Sequence, residues 1–499
     1  EAIENYKKAI ELKPDYLEAY NNLGNAQRRL GKFNEAIENY KKAIELKPDY
    51  LEAYNSLGNA QRTVGKYYEA IESYNKAIEL KPNSFEPYYN KGNALKDLRK
   101  FNEAIETYNE ALKIKPNIAN VYYSIGKTFI ELNKLEDALN NYSKAYKIDP
   151  KQDFLLGQLF YLKNRLCDWS YFDENLEKTK NEIQKFENVI MPFSSLSIYD
   201  APSLQKIVAE SYLKSRYSKI NMLKPITKRE LNKKIRIGYY SADFRNHAMA
   251  YILARLFELH SKSKFELIGF SLNPVDKSSD EMYKRISSAF NQFIDVSSKN
   301  DQEIAQISRD LKIDIAVDLM GYTTNNRFGA FILRCAPIQV NYLGYSGTSG
   351  SNCMDYIIAD KTIIPEENQK FYSEKIAYMP HSYQANDSEK KISKRIFTKK
   401  ELGLPEDSFV FCCFNQSYKI NPETFDLWVE ILANVNHSVL WLFETNPIAS
   451  KNLKKEIKIR KLDPNRIIFA KKMPLPDHLA RHSLADLSID SFPYTTGIT

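Results

Sequence analysis

The sequence predicts an α-helical superhelix followed by an α/β region with two Rossmann-like, parallel-sheet lobes, and three observations carry that reading. A 34-residue unit begins at Glu1 and recurs at Glu35, Glu69, Glu103 and Asp137. A proline closes each unit, at Pro14, Pro48, Pro82, Pro116 and Pro150. From about residue 233 the pattern changes, and short apolar runs alternate with helical periodicity. A chain of 499 residues has room for about three domains.

Full repeats run from Leu17, Leu51, Phe85 and Ala119. The second helix of the first repeat carries Ala36, Ile37, Tyr40, Ala43 and Ile44, a spacing that lines one helix face. Gly24, Gly58, Gly92 and Gly126 recur where the first helix must approach its partner closely. The Asn21-Asn22-Leu23-Gly24 segment, Gly31 in the turn, Tyr40 and Pro48 resemble the tetratricopeptide repeat. That resemblance implies a right-handed superhelix with a concave groove over residues 1–152. Two polar columns share the period: Asn22, Ser56, Asn90, Ser124, and Asn25, Asn59, Asn93, Lys127. Either they are solvated surface, or Asn22, Asn25, Asn59, Asn90 and Asn93 form an amide ladder for the backbone of an extended peptide. The convex face is a candidate homodimer surface.

Residues 153–232 read as irregular helix with aromatic anchors Trp169, Tyr171 and Phe172, a cap that braces the superhelix against the α/β region. Next come the strand candidates Ile235–Ser241, Phe265–Leu272, Ile313–Gly321, Ile338–Tyr345 and Tyr356–Ala359. A second series lies beyond Lys375–Pro380: Phe409–Phe414, Val439–Phe443, Ile467–Ala470 and Leu487–Asp490. Apolar runs this short, with helices between, argue parallel sheets buried on both faces. The Lys- and Ser-rich stretch Gln384–Lys400 reads as the linker, so the lobes span 233–385 and 386–499. Loops at the strand C-terminal ends of two such lobes would share one cleft.

Composition narrows the function classes. A net charge of +8, from 71 basic and 63 acidic residues, suits a small anionic ligand, but no Lys/Arg block of the nucleic-acid-binding kind is present. Five cysteines without Cys-x-x-Cys read as buried thiols of a cytoplasmic protein. No apolar run approaches the length of a membrane span, and no signal-peptide pattern opens the chain. The chain starts without Met and stops in mid-motif at Thr499, so it reads as part of a longer protein. Gly-x-Gly-x-x-Gly, P-loop, His-Glu-x-x-His and Gly-x-Ser-x-Gly motifs are all missing. His478 and His482 are four apart but lack a further metal ligand nearby.

Four segments bring polar chemistry to strand ends: Ser241–His247, the Gly-rich Leu343–Gly350, Phe414–Lys419, and Pro474–Arg481. In this order, behind tetratricopeptide repeats, and with Ile237–Phe244, Met320–Thr323, Ala336–Gln339, Met354–Ile357, Tyr372–Lys375 and Asn465–Phe469, they resemble the bacterial form of the O-linked N-acetylglucosamine (O-GlcNAc) transferase family. The resemblance implies a two-Rossmann-domain (GT-B) glycosyltransferase with the second lobe incomplete. It would move N-acetylglucosamine from UDP-N-acetylglucosamine to Ser/Thr hydroxyls of polypeptides held in the repeat groove, with inversion and with neither metal nor cofactor. It further implies that Lys419 grips the diphosphate, that Gln416 and Tyr418 share the donor loop, and that His478 stacks on uracil with Arg481 one turn on. Leu343 and Gly344 would line the sugar pocket, with His247 as an active-site histidine and Asp243 as proton acceptor or relay.

Several residues depart from the family pattern. Ser346 stands where Pro is usual, and Leu475 replaces a Lys of animal members. A second histidine of animal enzymes has no counterpart around Tyr199–Pro202. Where His-Thr-Thr usually holds the diphosphate, the chain has Gly497, Ile498 and Thr499, so only Thr499 keeps that expectation. UDP-glucose as donor, Asn as acceptor, and a non-catalytic peptide-binding scaffold are the alternative readings.

Overall fold

The computed structural model describes residues 1–185, 187–218, 220, 222–227, 232–274 and 279–495. It divides into two compact units, Glu1–Leu155 and Leu156–Thr499.

In the first unit, helix Ala2–Leu12 precedes the pairs Leu17–Arg29/Phe33–Leu46, Leu51–Thr63/Tyr67–Leu80, Phe85–Asp97/Phe101–Ile114 and Ala119–Glu131/Leu135–Ile148. Each pair closes around one tyrosine. Tyr40, Tyr74, Tyr108 and Tyr142 are buried against Gly24, Gly58, Gly92 and Gly126, where an added Cβ would stand 2.7, 2.6, 2.5 and 2.4 Å from the nearest ring atom. Glycine is needed there for space. In the turn between paired helices the need is conformational. Gly31 and Gly65 adopt left-handed φ of 76° and 79°, and at the same repeat position Arg99 and Asn133 do so at 62° and 54°.

In the second unit, the described residues form two parallel sheets. The strands are β1 Ile235–Ser241, β2 Phe265–Ser271, β3 Gln292–Asp295, β4 Ile315–Asp318, β5 Ile338–Asn341, β6 Tyr356–Ala359, β7 Lys375–Tyr378, β8 Phe409–Cys413, β9 Ser438–Phe443, β10 Ile467–Ala470 and β11 Leu487–Ser488. The first sheet runs β3-β2-β1-β4-β5-β6-β7 and the second β10-β9-β8-β11. Order reverses between β1 and β4 in one and between β8 and β11 in the other. Neighbouring connections diverge at those two points and leave a crevice beyond the strand ends.

Two differences from the sequence reading have plain causes. β3 escapes that reading because it is a four-residue edge strand whose outer residues Gln292 and Asp295 are polar. β4 is shorter than its apolar run because Asp318 turns the chain, its buried carboxylate accepting from the Met320 and Gly321 N–H groups at 2.8 and 3.1 Å.

Helices Phe172–Gln184, Pro192–Leu196 and Pro202–Tyr217 precede β1 and share a small core of Phe160, Ile183, Ile190, Tyr199 and Val208. This helical segment bridges the lobes. Tyr212 packs edge-on against Tyr322 of the first, 5.1 Å between centroids, and Trp169 packs on Phe425 of the second at 5.2 Å. The lobe linker is less free than its composition suggests, since buried Asp387 pairs with Arg285 of the first lobe at 2.6 Å. Among the described residues no helix is long and apolar enough to cross a membrane.

Gly58→Ala is expected to destabilise the repeat unit by about 1–3 kcal/mol, the usual cost of overpacking. In a Tyr74→Leu background the same change should cost much less. Urea unfolding followed by far-ultraviolet circular dichroism measures the coupling, and additive effects would remove the ring as the cause.

Candidate active site

The β1 turn carries the first pair of predicted residues. The Asp243 N–H donates to Ser241 Oγ at 2.9 Å, which folds the chain back at the strand end. His247 is the N-cap of helix Ala248–Leu259, its Nδ1 accepting from the Met249 N–H at 3.3 Å. The same Nδ1 lies 3.5 Å from Asp243 Oδ2, and Arg245 Nη2 lies 3.3 Å from Asp243 Oδ1. Burial lowers the His247 pKa; Asp243 opposes the shift and Arg245 adds to it. The two contacts look like an ion pair, yet burial outweighs the carboxylate and the imidazole is held neutral.

The Gly-rich loop comes after β5. Leu343 is buried with a left-handed φ of 67°, and a Cβ on Gly344 would stand 1.9 Å from the Leu319 carbonyl oxygen. Both therefore contribute backbone at a tight approach to the end of β4. Buried Glu374 anchors the far side of the loop, accepting from Thr348 Oγ1 at 2.8 Å and the Ser349 N–H at 2.7 Å.

In the second lobe the loop after β8 meets the chain after β11 at the switch point. Lys419 is buried at 6% exposure. Its ammonium donates to the Thr495 carbonyl at 3.0 Å and lies 4.4 Å from the centre of the Tyr494 ring. Burial lowers its pKa, while Asp490 and Cys413 oppose the shift. Asn415 Nδ2 ties the loop down by donating to Asp490 Oδ1 at 3.0 Å and Ser491 Oγ at 2.7 Å. At the other end of this loop, Phe414 packs against His478, 5.2 Å between centroids.

Other predicted residues take places that spacing alone does not reveal. Arg481 is 1% exposed, lies behind His478 and over Phe414, and donates to the Lys471 carbonyl at 2.7 Å and to His478 Nδ1 at 2.5 Å. Its route to any ligand runs through His478, whose ring it fixes with the proton on Nε2. Tyr418 points its ring at Tyr161 and Phe193 of the helical segment, at 5.4 and 6.3 Å, so it anchors the loop, whereas Gln416 is exposed. Thr499, with Gly497 and Ile498, lies outside the described residues.

The asparagine columns of the repeats are partly committed inside the fold. The hydroxyls of Tyr40, Tyr74 and Tyr108 donate to the side-chain carbonyls of Asn25, Asn59 and Asn93 at 2.9, 2.9 and 2.8 Å. Asn90 Nδ2 donates to Asn55 Oδ1 at 3.0 Å, and Asn22 is exposed. Sequence reasoning gave no role to Tyr494, Asn415, Asp490 and Glu374; Tyr494 and Asp490 lie far along the chain from the Lys419 loop they serve. Among the described residues, no cluster of three or more His, Cys, Asp or Glu side chains could hold a metal ion.

Burial and the Arg481 charge push the His478 pKa down to about 4 from an ordinary 6.5. The folded state therefore favours the neutral ring, so this contribution to stability is complete above about pH 6.5 and is lost as pH falls toward 4. All three tryptophans lie in the α/β unit, so their fluorescence reads its urea midpoint. His478→Asn is expected to flatten the fall between pH 6.5 and 4, and an unchanged slope would exclude His478 as the titrating group.

Comparison with known proteins agrees with this architecture. The repeat half matches models for the TPR repeat at residues 1–31, 24–65, 62–98 and 92–132, and for the tetratricopeptide repeat at 119–152. The chain is 35% identical over 272 residues to the Arabidopsis thaliana probable UDP-N-acetylglucosamine–peptide N-acetylglucosaminyltransferase SEC, covering 54% of this chain and 28% of that protein. It is 26% identical over 462 residues to the Caenorhabditis elegans UDP-N-acetylglucosamine–peptide N-acetylglucosaminyltransferase, covering 67% of this chain and 40% of that one. The chain thus spans well under half the length of either relative. The structure of a mutant of the Thermobaculum terrenum O-GlcNAc transferase shares the fold, with a TM-score of 0.60 at 22% identity over 89% of this chain and 79% of that one. The model of glycosyl transferase family 41 matches residues 166–396 and 384–499, more than half of the sequence, and the chain belongs to that family.

Proposed function

We propose that the α/β unit is an inverting, metal-independent transferase that moves N-acetylglucosamine from UDP-N-acetylglucosamine to Ser/Thr hydroxyls of proteins, and that the repeat groove holds the polypeptide acceptor. One observation carries the reading. Lys419, a buried cation, stands at the switch point of the second sheet, while Asp243 and His247 stand at the switch point of the first. The printed names of the plant and nematode relatives support the donor and the class of acceptor.

The chemistry follows from charge. An acceptor oxygen attacks the anomeric carbon as the bond to the UDP oxygen breaks. Negative charge then grows on the diphosphate, where Lys419 offsets it in surroundings from which water is largely removed. His478 holds the uracil by stacking, and Arg481 keeps its ring turned. Leu343 and Gly344 offer backbone to the sugar.

The acceptor proton passes to the Asp243–His247 pair. With the Met249 N–H on Nδ1 the ring carries its proton on Nε2 and presents a donor. Handing Nδ1–H to Asp243 instead would bare Nε2 as a base, so the tautomer sets the role. In the repeats, Tyr40, Tyr74 and Tyr108 occupy the side-chain carbonyls of Asn25, Asn59 and Asn93. Those amides then offer N–H groups to peptide carbonyls, beside Asn22 and Asn90. We propose a cytoplasmic site of action, supported by five unpaired cysteines.

Titration with UDP, UDP-N-acetylglucosamine and UDP-glucose, followed by intact-mass analysis of Ser/Thr and Asn peptides, tests donor and acceptor together. Uptake of an N-acetylhexosamine mass on Ser or Thr is expected. A hexose, modification of Asn, or absence of any UDP affinity would each overturn part of the reading. Lys419→Ala is expected to cut turnover by about 100-fold or more. His247→Ala should lower kcat by about 100-fold or more with KM little changed, and a rise in KM alone would assign His247 to binding.

A further inference from the structure

The loop after β8 and the chain after β11 present a lysine whose surroundings are unusually specific. The Lys419 ammonium has three N–H bonds. One points to the Thr495 carbonyl at 3.0 Å, and the ammonium lies over the Tyr494 ring, 4.4 Å from its centre. A cation over a ring face at this distance is held by the ring quadrupole, and more strongly where water is excluded. Lys419 is 6% exposed, so the contact is largely dry.

The Tyr494 ring is itself fixed. Phe193 of the helical segment packs edge-on against it, 6.2 Å between centroids and 86° between planes. Burial raises the Tyr494 phenol pKa, so the ring stays neutral and keeps its face available to a cation. Behind the loop, Asn415 is clamped to Asp490 and Ser491, so the backbone bearing Lys419 has little freedom of its own.

We infer that Tyr494 is a positioning residue for Lys419: its ring face, with the Thr495 carbonyl, takes up two directions of the ammonium and leaves one N–H aimed at an anionic oxygen of a ligand between the lobes. The inference rests on the proposed binding of a nucleoside diphosphate, because that ligand supplies the oxygen. It assigns to the ring what the charge alone cannot provide. An unsupported lysine on a flexible stem would meet the diphosphate in many geometries, whereas this one meets it in one. The hydroxyl of Tyr494 has no part in the effect.

The test compares Tyr494→Phe, which keeps the ring, with Tyr494→Leu and Tyr494→Met, which remove it. UDP and uridine are titrated into each by calorimetry. The Phe variant should bind UDP within about twofold of the parent. The Leu and Met variants should lose roughly threefold to tenfold for UDP and nothing for uridine, which carries no phosphate. Equal losses for UDP and uridine would mean general damage to the site and would overturn the inference. So would a tenfold loss in the Phe variant, which alone decides the matter if the other two do not fold.

A second readout needs no ligand. Acetylation of Lys419 by acetic anhydride, mapped by mass spectrometry, should speed up several-fold in the Leu and Met variants, remain unchanged in the Phe variant, and leave other lysines unaffected. If the parent binds neither UDP nor uridine, the proposed function fails and this labelling still decides the role of Tyr494. Identical Lys419 labelling in all four proteins would overturn it.

Discussion

The end of one helix sets the position of the loop that bears Lys419. Helix Leu155–Arg165 stops at a tight turn, where the Leu166, Asp168 and Cys167 N–H groups meet the carbonyls of Leu162, Lys163 and Asn164. The next two carbonyls find their partners in the second lobe. The Arg165 carbonyl accepts from Ser417 Oγ at 2.7 Å and Asn446 Nδ2 at 3.1 Å, and the Leu166 carbonyl accepts from Asn452 Nδ2 at 2.8 Å. Cys167 and Trp169 enter the core of the second sheet beside Phe425 and Trp428. Ser417 is two residues from Lys419, so the groups that satisfy the helix end also fix the loop that presents the cation. Leaving them unpaired would cost about 1–3 kcal/mol for each buried group, and the arrangement is therefore hard to relax.

The electrostatics of the two switch points obey one rule. Burial favours the neutral form of a base, and it lowers the pKa of His247, His478 and Lys419. At His247 and Lys419 a nearby carboxylate, Asp243 and Asp490 respectively, partly restores the charged form; at His478 the neighbour is cationic Arg481 and deepens the shift. Both imidazoles are thus held neutral, and His247 alone has a carboxylate beside it.

Much of this architecture is legible in the sequence because its signals are local. Repeat boundaries follow from the proline and glycine period. Nine of the strands follow from apolar runs, whereas the edge strand at Lys375–Tyr378 reads in sequence only as a boundary between the two series. What escaped is non-local. Arg481 reads in sequence as a donor-site cation one turn beyond His478, yet Phe414, just past β8, and Trp441 of β9 bury it. Tyr418 looks like a ligand-facing ring until Tyr161 and Phe193 are seen beside it. The asparagines of the repeats read equally well as ladder or as solvated surface, because nothing in their spacing reveals that tyrosine hydroxyls fifteen residues on reach three of them.

The pairing of Asp387 with Arg285 carries a mechanical meaning. The linker is held to the first lobe as far as Asp387, and at Ser393 its N–H donates to the Pro476 carbonyl, at the start of the helix bearing His478. Ser388 to Ile392 lie between the two moorings, and within that span Glu389 keeps a 3.9 Å contact with Arg255 of the first lobe. Any swing of one sheet against the other must be absorbed, along the main chain, by the torsions of that short span. Because its far mooring sits on the His478 helix, the pivot and the His478 ring would turn as one piece.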